Sequence, residues 1–183
     1  MTRQVFVDLD GVLGNLSKAM CQSFGLEYPK ATSLVYDWVL VASQLGVEGF
    51  FRVLESDPGV WDRVEPFPWT AKLIQCLDLH APDWKILSEA IIDPACWHGK
   101  SRWVKKFLSK PHLHRLVLTG SKKYELTRPG DLLIDDHITN VEEWTRRGGH
   151  AFRWVEYTED MVGAAEDQII LLSAFFERHL KDH

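Results

Sequence analysis

The chain opens with Val5-Phe6-Val7-Asp8-Leu9-Asp10-Gly11-Val12-Leu13, an apolar run that ends in two aspartates and a glycine. Side chains alternate along a strand, so Asp8 and Asp10 meet at the end of a buried strand only if the chain begins to turn. Gly11 permits that turn. Two carboxylates held together repel each other, and a bound cation relieves the repulsion. The stretch therefore predicts a Mg²⁺ site that contains a nucleophile.

A second stretch, Asp131-Leu132-Leu133-Ile134-Asp135-Asp136, repeats this pattern of an apolar strand followed by carboxylates. An aspartate after one strand is also typical of a helix cap or a turn. Two such strands in one chain favour a shared site, because their carboxylates together supply the oxygen ligands that Mg²⁺ prefers. The predicted metal ligands are Asp8, Asp10, Asp135 and Asp136.

The spacing of apolar runs predicts an α/β fold with a doubly wound parallel sheet. Strands that alternate with helical patterns imply helices on both faces of such a sheet, and ligands bind beyond the carboxyl ends of its strands. Helical patterns lie near Trp103–Leu108, at Val141–Arg147 and from Asp160 to about Leu180. The predicted strands are Val5–Val7, Trp84–Leu87, Leu116–Leu118, Leu132–Ile134 and, more weakly, Ala151–Val155.

The first two strands are separated by far more chain than a simple crossover needs, since a whole βαβ unit takes about 30 residues. We therefore expect residues 14–83 to form a small helical cap inserted after the first strand, and residues 1–13 and 84–183 to form the core. A last helix at about 69–79 is expected to pack on the core. The other predicted cap helices are Lys18–Phe24, Leu34–Leu45 and Phe50–Leu54.

Composition limits the partners of the chain. Its 183 residues suffice for one core domain with an insertion, and a net charge of −5 argues against binding a nucleic-acid polymer. No apolar run is long enough to span a membrane, and no signal peptide is visible. Cys21, Cys76 and Cys96 form no paired pattern, which favours free thiols and a cytoplasmic location. A homodimer is one of the oligomeric states that the sequence leaves open.

Ser88 and Lys100 are candidate phosphate ligands. Ser88 ends the second strand, where its hydroxyl and nearby N–H groups can hold a phosphoryl oxygen, although a serine there also serves as a turn or cap. Lys100 follows near the start of a helix and can reach back to the phosphate, although lysines are usually solvated at the surface. Gly99-Lys100-Ser101 is not a P-loop, because Pro94 stands where that motif requires glycine.

These residues together resemble the haloacid dehalogenase superfamily of phosphotransferases. Its four signatures occur in order, as Asp8-Leu9-Asp10-Gly11, Ser88, Lys100 and Asp135-Asp136. The Asp-x-Asp-Gly form is that of the superfamily's phosphatases. The resemblance implies a Rossmann-like core and phosphoryl transfer through an aspartate.

A closer resemblance is to the 5'(3')-deoxyribonucleotidases of the cytosolic type C class. Lys100-Ser101-Arg102-Trp103-Val104-Lys105-Lys106-Phe107 looks like that family's Lys-Tyr-x-Trp-Val-Glu-Lys segment, and Val64-Glu65-Pro66-Phe67-Pro68 resembles its Leu-Glu-Pro-Leu-Pro turn. The chain departs from the family at Leu87-Ser88-Glu89-Ala90, where Thr-Ser-Pro is usual. It departs again at Thr119-Gly120-Ser121-Lys122, where Thr-Arg-Asp-Lys is usual.

The resemblance implies a Mg²⁺-dependent phosphomonoesterase that acts on (deoxy)nucleoside monophosphates. In this interpretation Asp8 attacks phosphorus to form an aspartyl-phosphate, and Asp10 protonates the leaving oxygen. Mg²⁺ is held by Asp8, the backbone carbonyl of Asp10 and Asp135, while Asp136 orients a metal-bound water or Lys100.

The phosphate oxygens are then expected to be stabilised by Ser88, the Glu89 backbone N–H and Lys100. Lys122 or Lys123 adds a further charge, and alignment with the family favours Lys122. A solvated surface position is an equal alternative for that lysine.

Cap aromatics are expected either to stack on a base or to form the cap's own core. These are Phe24, Tyr36, Trp38, Phe50, Phe51 and Trp61. One alternative function is a related phosphatase for a sugar phosphate or a polynucleotide end. Another is a non-catalytic module that binds Mg²⁺ or nucleotide, against which the presence of Asp8, Asp10 and Lys100 argues.

Overall fold

A computed structural model describes residues 3–91 and 93–180, apart from the side chains of Val47 and Phe50. Its centre is a five-stranded sheet in which all neighbouring strands are parallel, in the order β3-β2-β1-β4-β5. Each strand matches a predicted apolar run to within two residues at either end, and the predicted fold class is confirmed. The strands are β1 (Val5–Val7), β2 (Lys85–Glu89), β3 (Leu116–Thr119), β4 (Leu132–Asp135) and β5 (His150–Arg153).

The described helices follow the strands in the order that an α/β fold requires. Four of them come between β1 and α5 and form the inserted region, and two short 3₁₀ turns occupy Lys110–His112 and Lys123–Leu126. The helices are α1 (Leu16–Phe24), α2 (Val35–Ala42), α3 (Gly46–Ser56), α4 (Val60–Arg63), α5 (Thr70–His80), α6 (Pro94–Phe107), α7 (Ile138–Arg146) and α8 (Val162–Leu180).

Some helix boundaries differ from the predicted ones for local reasons. α2 ends at Ala42 and does not continue to Leu45, because Gln44 and Gly46 have left-handed φ angles of 55° and 63°. α6 begins at Pro94, well before the Trp103 segment that predicted it. Asp93 caps this helix by accepting a 3.0 Å hydrogen bond from Ala95 N, and proline is favoured at a first helical position.

The sheet is covered on both faces, as alternation along its strands requires. Val7 and Ile86 point into the larger core cluster, which includes Leu73 of α5, Trp103 of α6 and Phe176 of α8. On the opposite face a smaller cluster joins Leu87 of β2 and Leu133 of β4 to Trp144 of α7, with Phe6 packed against it. Helices on both faces make the sheet doubly wound.

The inserted helices pack on one another and on the core. α1 contacts α2, α3 and α4, and α4 also contacts α6 of the core. α5 packs against α8, so it lies over one face of the sheet. Val35 of α2 and Leu54 of α3 belong to the larger core cluster, so the inserted helices and the sheet share one core.

Candidate active site

A cavity of about 360 Å³ lies at the carboxyl ends of β1, β2 and β4, where the fold class predicts ligand binding. Its floor is charged and comes from residues that directly follow or end these strands, including Asp8, Asp10, Glu89 and Asp136. Its wall comes from the inserted helices and is largely apolar. The wall residues are Leu16, Ser17, Met20, Tyr36, Phe51, Leu54 and Trp61.

Three of the predicted metal ligands form an acidic cluster, in which Asp8 and Asp136 line the cavity and Asp135 is fully buried. Asp8, Asp135 and Asp136 each place a carboxylate oxygen within 4.8 Å of the other two. Gly11 is required beside them, since it has a φ of +73° and a Cβ there would lie 2.2 Å from Asp136 Oδ2. The side chain of Asp10 is not part of this cluster, because its Oδ2 contacts Lys100.

Lys123 lies within the acidic cluster. Its ammonium group donates to Asp135 Oδ2 at 2.8 Å and contacts Asp8 Oδ2, and its side chain is only 3% exposed. Burial alone lowers the pKa of an ammonium group. Here the carboxylates of Asp135 and Asp8 outweigh burial and raise the pKa of Lys123 above its ordinary value. Lys123 is therefore a fixed positive charge between these two aspartates.

The carboxylates of the cluster are held in place by the backbone around them. Asp8 Oδ1 accepts a hydrogen bond from Leu9 N at 2.6 Å, and Asp135 Oδ1 accepts one from His137 N at 2.9 Å. Asn140 also donates its amide to Asp135, at 3.2 Å. These bonds fix the orientation of the carboxylates before any ligand binds.

Repulsion within the cluster shows in the protonation of its members. Burial, with the neighbouring charges of Asp135 and Asp10, raises the pKa of Asp8 to about 7, although Lys123 opposes the shift. Burial and the Asp135 and Asp8 carboxylates raise the pKa of Asp136 well above its ordinary value. One ammonium group therefore leaves the three carboxylates incompletely neutralised.

The donor set fits a hard divalent cation. Carboxylate oxygens are the ligands that Mg²⁺ prefers, and a few protein carboxylates with waters and substrate oxygens complete its usual coordination. The shared negative charge of Asp8, Asp135 and Asp136 would be relieved by such an ion. The chemistry of the cluster thus agrees with the cofactor predicted from the two aspartate-ending strands.

Lys100 joins three of the other predicted site residues. It donates to Ser88 Oγ at 2.7 Å and to the Glu89 carbonyl oxygen at 2.5 Å, and it contacts Asp10 Oδ2. The lysine is buried, with 3% of its side chain exposed, and its Nζ lies 5.6 Å from the centroid of the Trp61 ring. The surface position considered for Lys100 is therefore wrong, since the lysine is part of the floor.

The two lysines considered for the loop after β3 lie in different environments. The Lys122 side chain is 60% exposed and its Nζ lies 3.2 Å from Glu89 Oε2, although the residue also lines the cavity. Lys123 begins a 3₁₀ turn that points it inward, and its backbone N–H donates to Glu89 Oε1 at 3.1 Å. Lys123 is therefore the lysine that contacts Asp8, whereas alignment with the family favoured Lys122.

The cap aromatics divide into those that line the cavity and those that do not. Tyr36, Phe51 and Trp61 line it, and Trp61 is buried by close packing on Gly99 of α6. Burial raises the pKa of the Tyr36 hydroxyl, and nearby carboxylates add to the effect. Phe24 packs against the larger core cluster instead, and Trp38 is not among the lining residues. The Phe50 side chain lies outside the described residues.

Glu156 is a cavity residue that sequence reasoning missed. It follows β5, is 2% exposed, and accepts a hydrogen bond at Oε2 from the backbone N–H of Tyr36 at 2.8 Å. Burial raises its pKa to about 7. One signal was present, because Trp154-Val155-Glu156 also places a carboxylate soon after an apolar run.

Comparison with protein families gives a direct assignment. Residues 2–165 match the family described as 5' nucleotidase, deoxy (pyrimidine), cytosolic type C protein. The chain belongs to this family. Its members are phosphoric monoester hydrolases, and the resemblance inferred from the aspartate, serine and lysine signatures is confirmed.

Two relatives carry matching names. The chain is 29% identical over 157 residues to the human cytosolic-type 5'(3')-deoxyribonucleotidase. This match covers 74% of this chain and 71% of the human protein. It is also 29% identical over 141 residues to a protein of Vibrio phage KVP40 described as a 5'(3')-deoxyribonucleotidase, covering 70% and 80% of the two chains.

Solved structures support the fold. A haloacid dehalogenase-like hydrolase of Streptococcus pneumoniae matches 96% of this chain and 98% of its own with a TM-score of 0.58 and 14% identity. A similar hydrolase of Xanthomonas campestris matches 97% and 94% with a TM-score of 0.53 and 12% identity. Over residues 3–91 and 93–180, none of the helices is long and apolar enough to cross a membrane.

Proposed function

We propose that this chain is a Mg²⁺-dependent phosphomonoesterase that dephosphorylates (deoxy)nucleoside monophosphates through an aspartyl-phosphate intermediate. The family assignment and the names of two relatives support a nucleotide substrate. The observation that carries the proposal is the position of Asp8, whose carboxylate lies on the floor of the cavity beside Lys123, Asp135 and Asp136.

The first step transfers the phosphoryl group to the protein. A carboxylate oxygen of Asp8 attacks phosphorus and forms an O–P bond while the ester O–P bond breaks. The leaving oxygen takes a proton from the carboxyl group of Asp10, which lines the same cavity two residues further on. The products are an aspartyl-phosphate and a free nucleoside.

The second step regenerates Asp8. A water molecule attacks the phosphorus of the aspartyl-phosphate, and the O–P bond to Asp8 breaks. Asp10 accepts the proton of the attacking water, so the same residue serves as acid and then as base. Inorganic phosphate leaves, and both aspartates return to their starting protonation states.

Charge on the transferring phosphoryl group is stabilised by the floor. Lys100 lines the cavity 2.7 Å from the hydroxyl of the fully buried Ser88, and Lys123 contacts the nucleophile, so positive charge is in place before the reaction. Lys122 lines the outer side of the cavity and adds a further positive charge. Asp8, Asp135, Asp136 and the Asp10 backbone carbonyl would hold a Mg²⁺ ion, which would supply charge that offsets repulsion between carboxylate and phosphate.

Substrate choice falls to the inserted region, for which we retain residues 14–83 as the cap. Its apolar wall faces the charged floor across the cavity, and Tyr36, Phe51 and Trp61 contribute rings to it. Aromatic rings bind any nucleobase by stacking, with little regard to base identity. The wall therefore suits the nucleoside part of the substrate.

Phosphate release from a panel of esters tests this function. The panel contains 5' and 3' deoxy- and ribonucleoside monophosphates and sugar phosphates, assayed with Mg²⁺ and with a chelator, beside an Asp8→Asn control of unchanged fold. We expect Mg²⁺-dependent release, concentrated on deoxynucleoside monophosphates and lost in the control.

Two other outcomes would contradict the proposed function. Release from sugar phosphates alone would preserve the phosphatase chemistry and reject the nucleotide substrate. No release from any ester by the folded protein would favour a non-catalytic module that binds Mg²⁺ or nucleotide.

A further inference from the structure

Glu156 has an unusual position for a carboxylate that takes no part in the proposed chemistry. It lines the cavity yet is 2% exposed, and its Oε1 atom makes no hydrogen bond of ordinary length and angle with the described residues, although the Ser17 side chain is close enough to lower its pKa. A buried polar atom without a partner is costly, and native structures contain few of them. Such an atom at the wall of a binding cavity indicates a ligand that supplies a hydrogen bond.

The backbone around Glu156 is fixed from both sides. Its carbonyl oxygen accepts a 2.8 Å hydrogen bond from Leu34 N, and its Oε2 accepts one from Tyr36 N, also at 2.8 Å. The preceding residue, Val155, exchanges hydrogen bonds with the side chain of Gln168 on α8 at 2.7 and 2.9 Å. One carboxylate oxygen thus holds the Tyr36 backbone, while the other has no such donor.

The surroundings of Glu156 indicate which part of the substrate it meets. The lysines lie on the floor of the cavity, where they suit the phosphate group. Glu156 lies beside the wall, since the Tyr36 backbone N–H donates to it and the Ser17 side chain lowers its pKa. The wall is otherwise largely apolar and suits an organic group. Pockets of this kind use a few placed polar groups to orient a ligand against apolar walls.

We infer that Glu156 is a specificity-determining residue, and that its Oε1 accepts a hydrogen bond from an O–H or N–H group on the organic part of the phosphate ester. In a nucleoside monophosphate that donor is a sugar hydroxyl or a base N–H. The inference rests on the proposed hydrolysis of nucleoside monophosphates. A site built to hydrogen-bond a substrate group discriminates strongly against analogues that lack it.

The test compares Glu156→Gln with the wild type on two esters. Glutamine keeps an acceptor for Tyr36 N but presents an amide in place of the free carboxylate oxygen. In assays above pH 7, where Glu156 is ionised and its Oε1 can accept, we expect kcat/KM on thymidine 5'-monophosphate to fall about 10-fold or more, mainly through KM. On p-nitrophenyl phosphate, which has no donor on its organic part, we expect rates within about twofold, which also shows that the variant folds.

A matched control and two analogues complete the design. Glu159→Gln makes the same chemical change three residues on, outside the cavity lining, and is expected to leave both activities unchanged. The 2',3'-dideoxy and N3-methyl analogues of thymidine 5'-monophosphate each lack one donor. The analogue whose loss is not additive with Glu156→Gln identifies the group that Glu156 binds.

The other possible outcomes also distinguish the role of Glu156 from the proposed function. Equal losses on both esters, or no loss on either, would overturn the inference while the hydrolase function stands. If the wild type hydrolyses no ester, the proposed function fails, and calorimetric binding of thymidine 5'-monophosphate then tests Glu156 alone. Weaker binding by Glu156→Gln would support the inference, and equal binding would overturn it.

Discussion

The floor and the wall of the cavity are built in opposite ways. On the floor, charged side chains are buried and form ion pairs, as Lys123 does with Asp8 and Asp135. On the wall, the side chains of the inserted helices are largely apolar, as Phe51 and Leu54 are. Rigid, desolvated charges suit a reaction whose charge distribution is fixed, whereas an apolar wall suits affinity for a variable organic group.

This difference predicts two kinds of kinetic effect. Substitutions on the floor are expected to reduce kcat, because they remove charge that stabilises the transition state. Substitutions on the wall are expected to raise KM, because they remove contacts made equally in the ground state.

The largest effect is expected for Lys123→Met, compared with Lys122→Met. Removing Lys123 leaves buried carboxylates without their counter-charge, a change that costs about 3–5 kcal/mol in comparable buried pairs. We expect kcat to fall about 100-fold or more. Lys122 is largely exposed and pairs with Glu89, so its loss is expected to cost about 1 kcal/mol or less and a few-fold in activity.

Urea unfolding and steady-state kinetics on both lysine variants measure this contrast. Adding Mg²⁺ should recover part of the stability that Lys123→Met loses, because both cations neutralise the same carboxylates. Equal effects of the two substitutions on kcat would contradict the distinction between the buried and the exposed lysine.

The next effect concerns the metal. A ligand that binds only the folded state stabilises it, by about 2.7 kcal/mol at a concentration of 100 times Kd. We expect Mg²⁺ to raise the melting temperature of the wild type and to have little effect on Asp136→Asn, which removes one charge from the cluster. Differential scanning calorimetry measures both, without any dependence on activity. An undiminished Mg²⁺ shift in the variant would exclude Asp136 from the metal site.

A smaller effect is expected on the wall. Phe51→Leu keeps an apolar side chain but removes a ring that lines the cavity, and stacking of a base on an aromatic ring is worth about 1–3 kcal/mol. KM for nucleoside monophosphates should rise about 10-fold with kcat nearly unchanged. Trp38→Leu, outside the lining, is the matched control with no expected change in KM. A fall in kcat for Phe51→Leu would assign the ring a part in the chemistry.

The smallest effect is a pH dependence of stability at the junction of core and inserted helices. Burial raises the pKa of Glu156 from 4.5 to about 7, with Asp37 and Asp10 adding to the shift and Ser17 and Tyr36 N opposing it. The folded state therefore holds a proton that the unfolded state releases between these pH values.

This bound proton stabilises the folded state relative to the unfolded state. The stabilisation is present below about pH 4.5 and is lost as pH rises to about 7, so the free energy of unfolding decreases over this range. Glu156→Gln has no such proton, and its unfolding free energy should decrease less steeply in urea titrations across the same range. Parallel curves for the two proteins would show that Glu156 is ionised in the folded state throughout.

The sheet and the acidic cluster could be predicted because each depends on a local pattern. Apolar runs that end at Asp8 and at Asp135 mark both the strands and the edge where they terminate. Parallel strands bring those ends together whatever the loops do. Ser88 and Lys100 followed from the same rule, together with the family resemblance.

The choice between Lys122 and Lys123 could not be predicted, because it depends on the rotation of a single 3₁₀ turn held by Glu89. The position of Glu156 could not be predicted for a different reason. Its role follows from contacts with Leu34 and Tyr36, which lie more than a hundred residues away in the chain and belong to no motif.

The most direct test of the central claim is to locate the phosphoryl group during turnover. The protein is mixed with thymidine 5'-monophosphate carrying a radiolabelled phosphate, quenched in acid within one turnover, and mapped by peptide. We predict label on the peptide that contains Asp8 in the wild type and none on Asp8→Asn. Label on a different residue, or hydrolysis by Asp8→Asn at the wild-type rate, would contradict the account.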